Sequence, residues 1–151
     1  MEIERKYLIK RLPPDYASYP HREIEQGYLS TSPVVRIRKS GEDYILTYKG
    51  GGLMVREEYN LPLDKKSYEH LRPKADGILI RKVRYNIPYQ ETYTIELDIF
   101  LDSLAPLILA EVEFPTEEEA NRFVPPDWFA EDVTFTKQYH NSVLSQAKQM
   151  P

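Results

Sequence analysis

At 151 residues and 17.8 kDa the chain has the length of one domain with a sizeable core, and its lack of cysteine excludes disulfides, thiolate metal sites and a cysteine nucleophile. A net charge of −4 and a pI near 5.5 argue against a broad basic surface for nucleic acid, while leaving room for a concentrated cationic pocket. Twelve Tyr and five Phe favour sheet over bundle, and no leader or apolar run of spanning length is present, so the expectation is a cytoplasmic protein without a membrane partner.

The opening residues Met1-Glu2-Ile3-Glu4-Arg5-Lys6 read as a strand that places Glu2, Glu4 and Lys6 on one face and Ile3, Arg5 and Tyr7 on the other. Pro13-Pro14-Asp15 begins a connector to Pro20. Ile24 to Ser30 reads as a short strand with Gly27 at a bulge or close approach, and Val34 to Lys39 alternates Arg36 and Arg38 against Val35 and Ile37. After a turn at Ser40–Asp43, Tyr44 to Lys49 sets Thr47 and Lys49 against Leu46 and Tyr48. Gly50-Gly51-Gly52 turns the chain; it lacks the order of a phosphate-binding loop and lies between strands.

Met54 to Leu63 reads as one long strand with Arg56 and Glu58 on one face, and an outer face only partly buried because Glu57 interrupts its apolar row. Asp64 caps a short sheet-covering helix through Leu71. Ile78 to Ile87 carries Lys82 and Arg84, and a turn follows at Pro88–Glu91. Tyr93 to Leu101 sets Glu96 and Asp98 against Ile95, Leu97 and Ile99, and Leu107 to Phe114 sets Glu111 and Glu113 against Ala110, Val112 and Phe114. Thr116 with Glu119 forms a capping box for a helix to about Val124, and the spacing of Tyr139, Val143, Leu144 and Ala147 predicts a C-terminal helix from Thr136. Lys137, Tyr139 and Asn141 serve to secure that helix, and His21, His70 and His140 are assigned to solvated surface.

An ordinary sandwich would bury the apolar faces and wet the charged ones. Here the polar rows are almost entirely ionisable, basic in mid-chain and acidic at both ends, and the helices need outward apolar faces to cover. The expected class is therefore mainly β (α+β): an antiparallel β-barrel with a charged interior and a few outer helices. Facing cations at low dielectric call for an anion, and a phosphate chain suits several Arg forks and Lys charges around a tunnel. Clustered carboxylates would repel that ligand unless Mg²⁺ or Mn²⁺ intervened.

The ordered set Glu2-x-Glu4-x-Lys6, Gln26-Gly27-Tyr28-Leu29, Arg36-Ile37-Arg38, Thr47-Tyr48-Lys49, Arg56-Glu57-Glu58, Lys82-Val83-Arg84, Glu96-Leu97-Asp98 and Glu111-Val112-Glu113 resembles the CYTH superfamily, the triphosphate tunnel metalloenzymes, and most of all its small bacterial inorganic triphosphatase branch. The resemblance implies a single tunnel domain over residues 1–151 with eight antiparallel strands, and metal-dependent hydrolysis of inorganic triphosphate (tripolyphosphate) to pyrophosphate and phosphate. Glu2, Glu4 and Glu113 are the first metal ligands it implies, with Glu111 and Asp98 supporting a second metal or orienting water. Glu4, Asp98, Glu111 and Glu113 are then the catalytic set. Lys6, Arg36, Arg38, Lys49, Arg56, Lys82 and Arg84 hold the triphosphate, with Glu58 and Glu96 in support, Glu96 chiefly by ion pairing. Thr47 is read as a β-former, while Gln26 and Tyr28 either reach into the tunnel or pack. The rival readings are an organic triphosphate hydrolase acting on ATP, thiamine triphosphate or an RNA 5′ end, a class IV adenylate cyclase, and a noncatalytic polyphosphate-binding module. No stable nucleic-acid partner is expected, and a homodimer is left open.

Overall fold

The computed structural model describes residues 1–147, Met150 and Pro151. Ten strands form in chain order: β1 (Glu2–Ile9), β2 (His21–Thr31), β3 (Val34–Ser40), β4 (Asp43–Lys49), β5 (Val55–Arg56), β6 (Glu58–Leu63), β7 (Asp76–Tyr89), β8 (Tyr93–Phe100), β9 (Ile108–Glu113) and β10 (Phe129–Asp132). Nine follow the order β10-β1-β9-β8-β7-β2-β3-β4-β6, and β5 pairs with β1. All pairings are antiparallel.

The expected count of eight strands is corrected in two places. The predicted strand Met54–Leu63 breaks at Glu57: β6 stays on β4, while β5 crosses to β1 through the pairs Glu2↔Arg56 and Ile3↔Val55. The Glu4 N–H also donates to the Met54 carbonyl at 3.0 Å. That short seam joins the two ends of the sheet, because β6 is one edge and β1 lies next to the other, so the barrel is nearly closed. The tenth strand, β10, is four residues long and too short to carry a visible alternation. It pairs with the second half of β1, on the side whose first half takes β5.

The apolar outer faces are covered as expected. Thr116 Oγ1 accepts from Glu119 N at 3.1 Å and starts α2 (Glu117–Arg122), which seats Ala120 and the following Phe123 against Tyr7, Phe114 and Phe129. Arg5, on the outer face of β1, donates to the Ala120 carbonyl at 2.7 Å and pairs with Asp132 of β10. Asp64 accepts from Ser67 N at 2.7 Å to cap α1 (Lys65–Leu71), whose Tyr68 donates to Glu25 on the outside of β2 at 2.9 Å. The outer face of β6 is the least covered, with Tyr59 and Leu61 each 59% exposed. β7 continues through Pro88 and Tyr89, so the next turn lies at Gln90 and Glu91, both at positive φ.

The predicted helix from Thr136 is replaced by a 3₁₀ turn at Lys137–Tyr139 and a short α3 at Asn141–Leu144. The interruption falls at His140, whose extended backbone (φ −76°, ψ 138°) separates the two. Leu144 of α3 packs into an apolar cluster with Tyr28, Ile80, Phe100 and Leu109. Ile80, Phe100 and Leu109 share faces with Lys82, Asp98 and Glu111, so the inward rows turn apolar toward one end of the barrel. The interior is thus charged over part of its length and plugged with hydrocarbon over the rest.

Candidate active site

Every strand from β1 to β9 contributes an inward ionisable or polar side chain to this interior. A cavity of about 280 Å³ opens there, lined by six carboxylates (Glu2, Glu4, Glu58, Glu96, Glu111, Glu113) and six cations (Lys6, Arg36, Arg38, Lys49, Arg56, Arg84). Among the described residues the lining is therefore formally neutral in total while strongly polarised in place.

The acidic side is set by register. Glu4 lies directly opposite Glu113, and Glu111 directly opposite Glu96, an arrangement that is destabilising for like charges unless a cation intervenes. One oxygen from each of Glu4, Glu96 and Glu111 lies within 4.8 Å of the others. Burial, then the Glu111 and Glu2 carboxylates, push the Glu4 carboxyl well above its ordinary value. Burial, then Glu58 and Glu96, raise Glu113. Glu111 goes the other way: burial would raise it, but Lys6, then Arg84, outweigh that and hold it well below the carboxylate range. Its Oε1 is buried without a hydrogen-bond donor among the described residues, although Lys6 Nζ stands 3.4 Å away. An all-carboxylate set whose oxygens converge in this way suits a hard divalent cation.

The basic side holds the complementary defect. Arg36 Nε is buried with no acceptor among the described residues, while Nη2 donates to Thr47 Oγ1 at 3.2 Å. Arg38 Nε donates to Gln26 Oε1 at 2.8 Å, and burial, then Arg36 and Arg84, push Arg38 down to about 9. Gln26 is fully buried and also donates to Tyr28 Oη at 3.3 Å, which settles both of these residues as inward. Lys49 bridges the two sides, 2.9 Å from Glu2 and 3.5 Å from Glu58. Burial would raise Glu58, but its hydrogen bond with Glu2, then Lys49, hold it at about 2; burial raises Glu2 despite Lys49. Arg84 Nη1 lies 3.0 Å from Glu96 and Nη2 3.5 Å from Glu111, while Arg56 donates to the Gly50 carbonyl at 3.1 Å.

Two expected site residues stand apart. Lys82 and Asp98 are fully buried, joined at 2.8 Å, and do not line the cavity. Both oxygens of Asp98 are taken, Oδ1 by Arg84 Nε at 2.7 Å and Oδ2 by Lys82 and by Arg84 Nη2 at 2.8 Å. Burial would raise Asp98, but Arg84 and then Lys82 keep it low. Asp98 thus holds Arg84 in place from below, with each of its oxygens paired to a cation.

The sequence reading missed the C-terminal contribution. His140, Asn141 and Ser142 line the cavity, which corrects the surface assignment of His140. Its Nε2 pairs with the Thr134 carbonyl at 2.7 Å, and burial, then Lys6, push it down to about 4, so the ring is neutral near neutral pH. Asn141 accepts from Lys82 at 3.3 Å, and the Tyr139 carbonyl accepts from Lys6 at 3.1 Å. Helical spacing alone does not signal this role, because the segment acts through a break in the helix. His21 and His70 are exposed as expected.

A charged, helix-clad antiparallel barrel of this kind defines a class, and the chain belongs to it: the CYTH domain family matches residues 1–150. Among curated relatives, an inorganic triphosphatase of Nitrosomonas europaea is 40% identical over 95% of this chain and 96% of its own. Another, from Acetivibrio thermocellus, is 32% identical over 95% and 92%. Among solved structures, the inorganic triphosphatase NE1496 superposes with a TM-score of 0.73 at 36% identity, covering 99% of this chain and 97% of that one. A putative adenylyl cyclase from Hippeastrum, described as having a dominant triphosphatase activity, shares the fold at 15% identity, TM-score 0.61, over 81% and 83%.

Proposed function

We propose that this chain is an inorganic triphosphatase that hydrolyses tripolyphosphate to pyrophosphate and phosphate with Mg²⁺ or Mn²⁺. The observation that carries the proposal is the single cavity in which carboxylates on one side, three of them offering oxygens within 4.8 Å of one another, face a row of Arg and Lys on the other. A neutral lining gives a bare polyanion little net attraction, whereas a cation and a polyanion together satisfy both sides. The relatives' activity and the match of the inorganic triphosphatase fold support the same substrate class.

Glu4 and Glu111, with Glu2, Glu113 and Glu96 around them, would hold the cation. Bound there, a divalent ion neutralises phosphate charge and polarises a phosphoryl oxygen. Arg36, Arg38, Arg84, Lys6 and Lys49 bind the phosphate oxygens and stabilise the charge that develops on the departing pyrophosphate. Arg56 lines the same cavity and joins them. Lys82 acts from beneath, through Asp98 and Arg84. A carboxylate facing the terminal phosphorus orients the attacking water, so no covalent enzyme intermediate forms. No helix among the described residues is long and apolar enough to cross a membrane.

A panel of tripolyphosphate, ATP, thiamine triphosphate and pyrophosphate, each with Mg²⁺ or Mn²⁺, tests the assignment. Fastest phosphate release from tripolyphosphate is expected. Faster release from an organic triphosphate, or cyclic AMP with pyrophosphate from ATP, overturns the substrate.

A further inference from the structure

Arg36, Thr47 and Asn60 are consecutive cross-strand partners on β3, β4 and β6, so the register places their side chains in one inward rung. Arg36 Nη2 donates to Thr47 Oγ1 at 3.2 Å, Thr47 Oγ1 donates to Asn60 Oδ1 at 2.7 Å, and Asn60 Nδ2 donates to Glu58 Oε1 at 3.1 Å. A threonine hydroxyl has one proton. Once that proton goes to Asn60, only lone pairs remain to face the guanidinium, and every donor in the chain points from cation to carboxylate. Aligned bonds of this kind polarise one another. Thr47 is fully buried, and a valine there would match its shape and serve β-structure at least as well. A hydroxyl at this position therefore has a use beyond forming the strand.

We propose that Thr47 and Asn60 are positioning residues for triphosphate binding: the Thr47 hydroxyl, held by Asn60, fixes the Arg36 guanidinium at the cavity wall where it receives the phosphate chain. Neither residue need touch the reacting atoms; both act through Arg36. The inference rests on the triphosphatase reading above.

The test compares wild type, Thr47→Val, Thr47→Ser and Asn60→Ala in steady-state hydrolysis of tripolyphosphate with Mg²⁺, together with melting temperatures. Thr47→Val is expected to raise KM about tenfold, because the substrate must then order the Arg36 guanidinium itself, with a smaller change in kcat; the buried N–H left without its acceptor also lowers the melting temperature. Thr47→Ser keeps the hydroxyl and restores KM. Asn60→Ala, at the cavity wall, cuts the chain one step further out and raises KM by a smaller factor; it carries the test should Thr47→Val not fold. A wild-type KM in both Thr47→Val and Asn60→Ala, or equal impairment in Thr47→Ser and Thr47→Val, overturns the positioning role while wild-type turnover leaves the triphosphatase reading standing. A wild type that releases no phosphate removes both.

Discussion

Glu4 shows how single side chains in this barrel are tuned by their neighbours. Burial and two nearby carboxylates raise its proton affinity, so the folded state binds a proton there more tightly than the unfolded chain does. A group raised in this way stabilises the fold below its unfolded value of 4.5, and that stabilisation is lost as pH rises through the higher folded value. At the proposed metal site a divalent cation would compete for the same oxygens. Added Mg²⁺ is thus expected to raise the melting temperature more near neutral pH than near pH 4.5, the difference shrinking in Glu4→Gln. A metal-induced shift of equal size at both ends of that range would contradict this account of Glu4. Asp98 teaches the reverse lesson: it is an inward carboxylate on a metal-binding-like row, yet Lys82 and Arg84 use both its oxygens.

Among the elements, the two-residue β5 has the most influence for its length. It fastens Arg56 beside Glu2 and brings Met54 to Glu4, so the seam of the barrel and the acidic side of the cavity are built by the same few hydrogen bonds. Gly52 permits that crossing with φ +109°, and a Cβ there would stand 2.3 Å from the Val55 carbonyl oxygen. Gly52→Ala is expected to cost about 1–3 kcal/mol and to lower activity more than an exposed loop substitution of equal cost, by moving Arg56 and Glu2. Denaturant unfolding and turnover measured on the same sample check it; unchanged stability would mean the seam tolerates another path. The alternation of Arg36 with Arg38, or Glu111 with Glu113, revealed which strands faced inward, because a period of two is preserved wherever a strand is straight. It could not reveal where a strand stops pairing with one neighbour and starts with another, so the alternation alone presents Met54–Leu63 as continuous. Nor could it reveal His140, Asn141 and Ser142, which reach the cavity from the break before α3 and its first turn, held by tertiary contacts of this segment with Lys6, Lys82 and Thr134.

For the molecule as a whole, the barrel inverts the usual arrangement: aromatic and aliphatic side chains cover its outside beneath helices, and charge occupies the middle. That charge is tolerable because six acids and six bases share one cavity and because the inward rows become apolar toward one end, where Leu109, Phe100 and Ile80 exclude water. Within the charged part, pairs such as Lys49 with Glu2 hold the cavity in balance until ligands replace them. On the proposed function, binding of metal and polyanion would be one coupled event in which each raises the affinity for the other. The most direct measurement is ³¹P NMR of tripolyphosphate incubated with the wild type and with Glu111→Gln, in Mg²⁺ and in chelator. The account predicts equal amounts of pyrophosphate and phosphate from the wild type in Mg²⁺, and an unchanged tripolyphosphate spectrum in chelator or with the variant. Hydrolysis that persists undiminished in chelator, or a silent wild type in Mg²⁺, would contradict it.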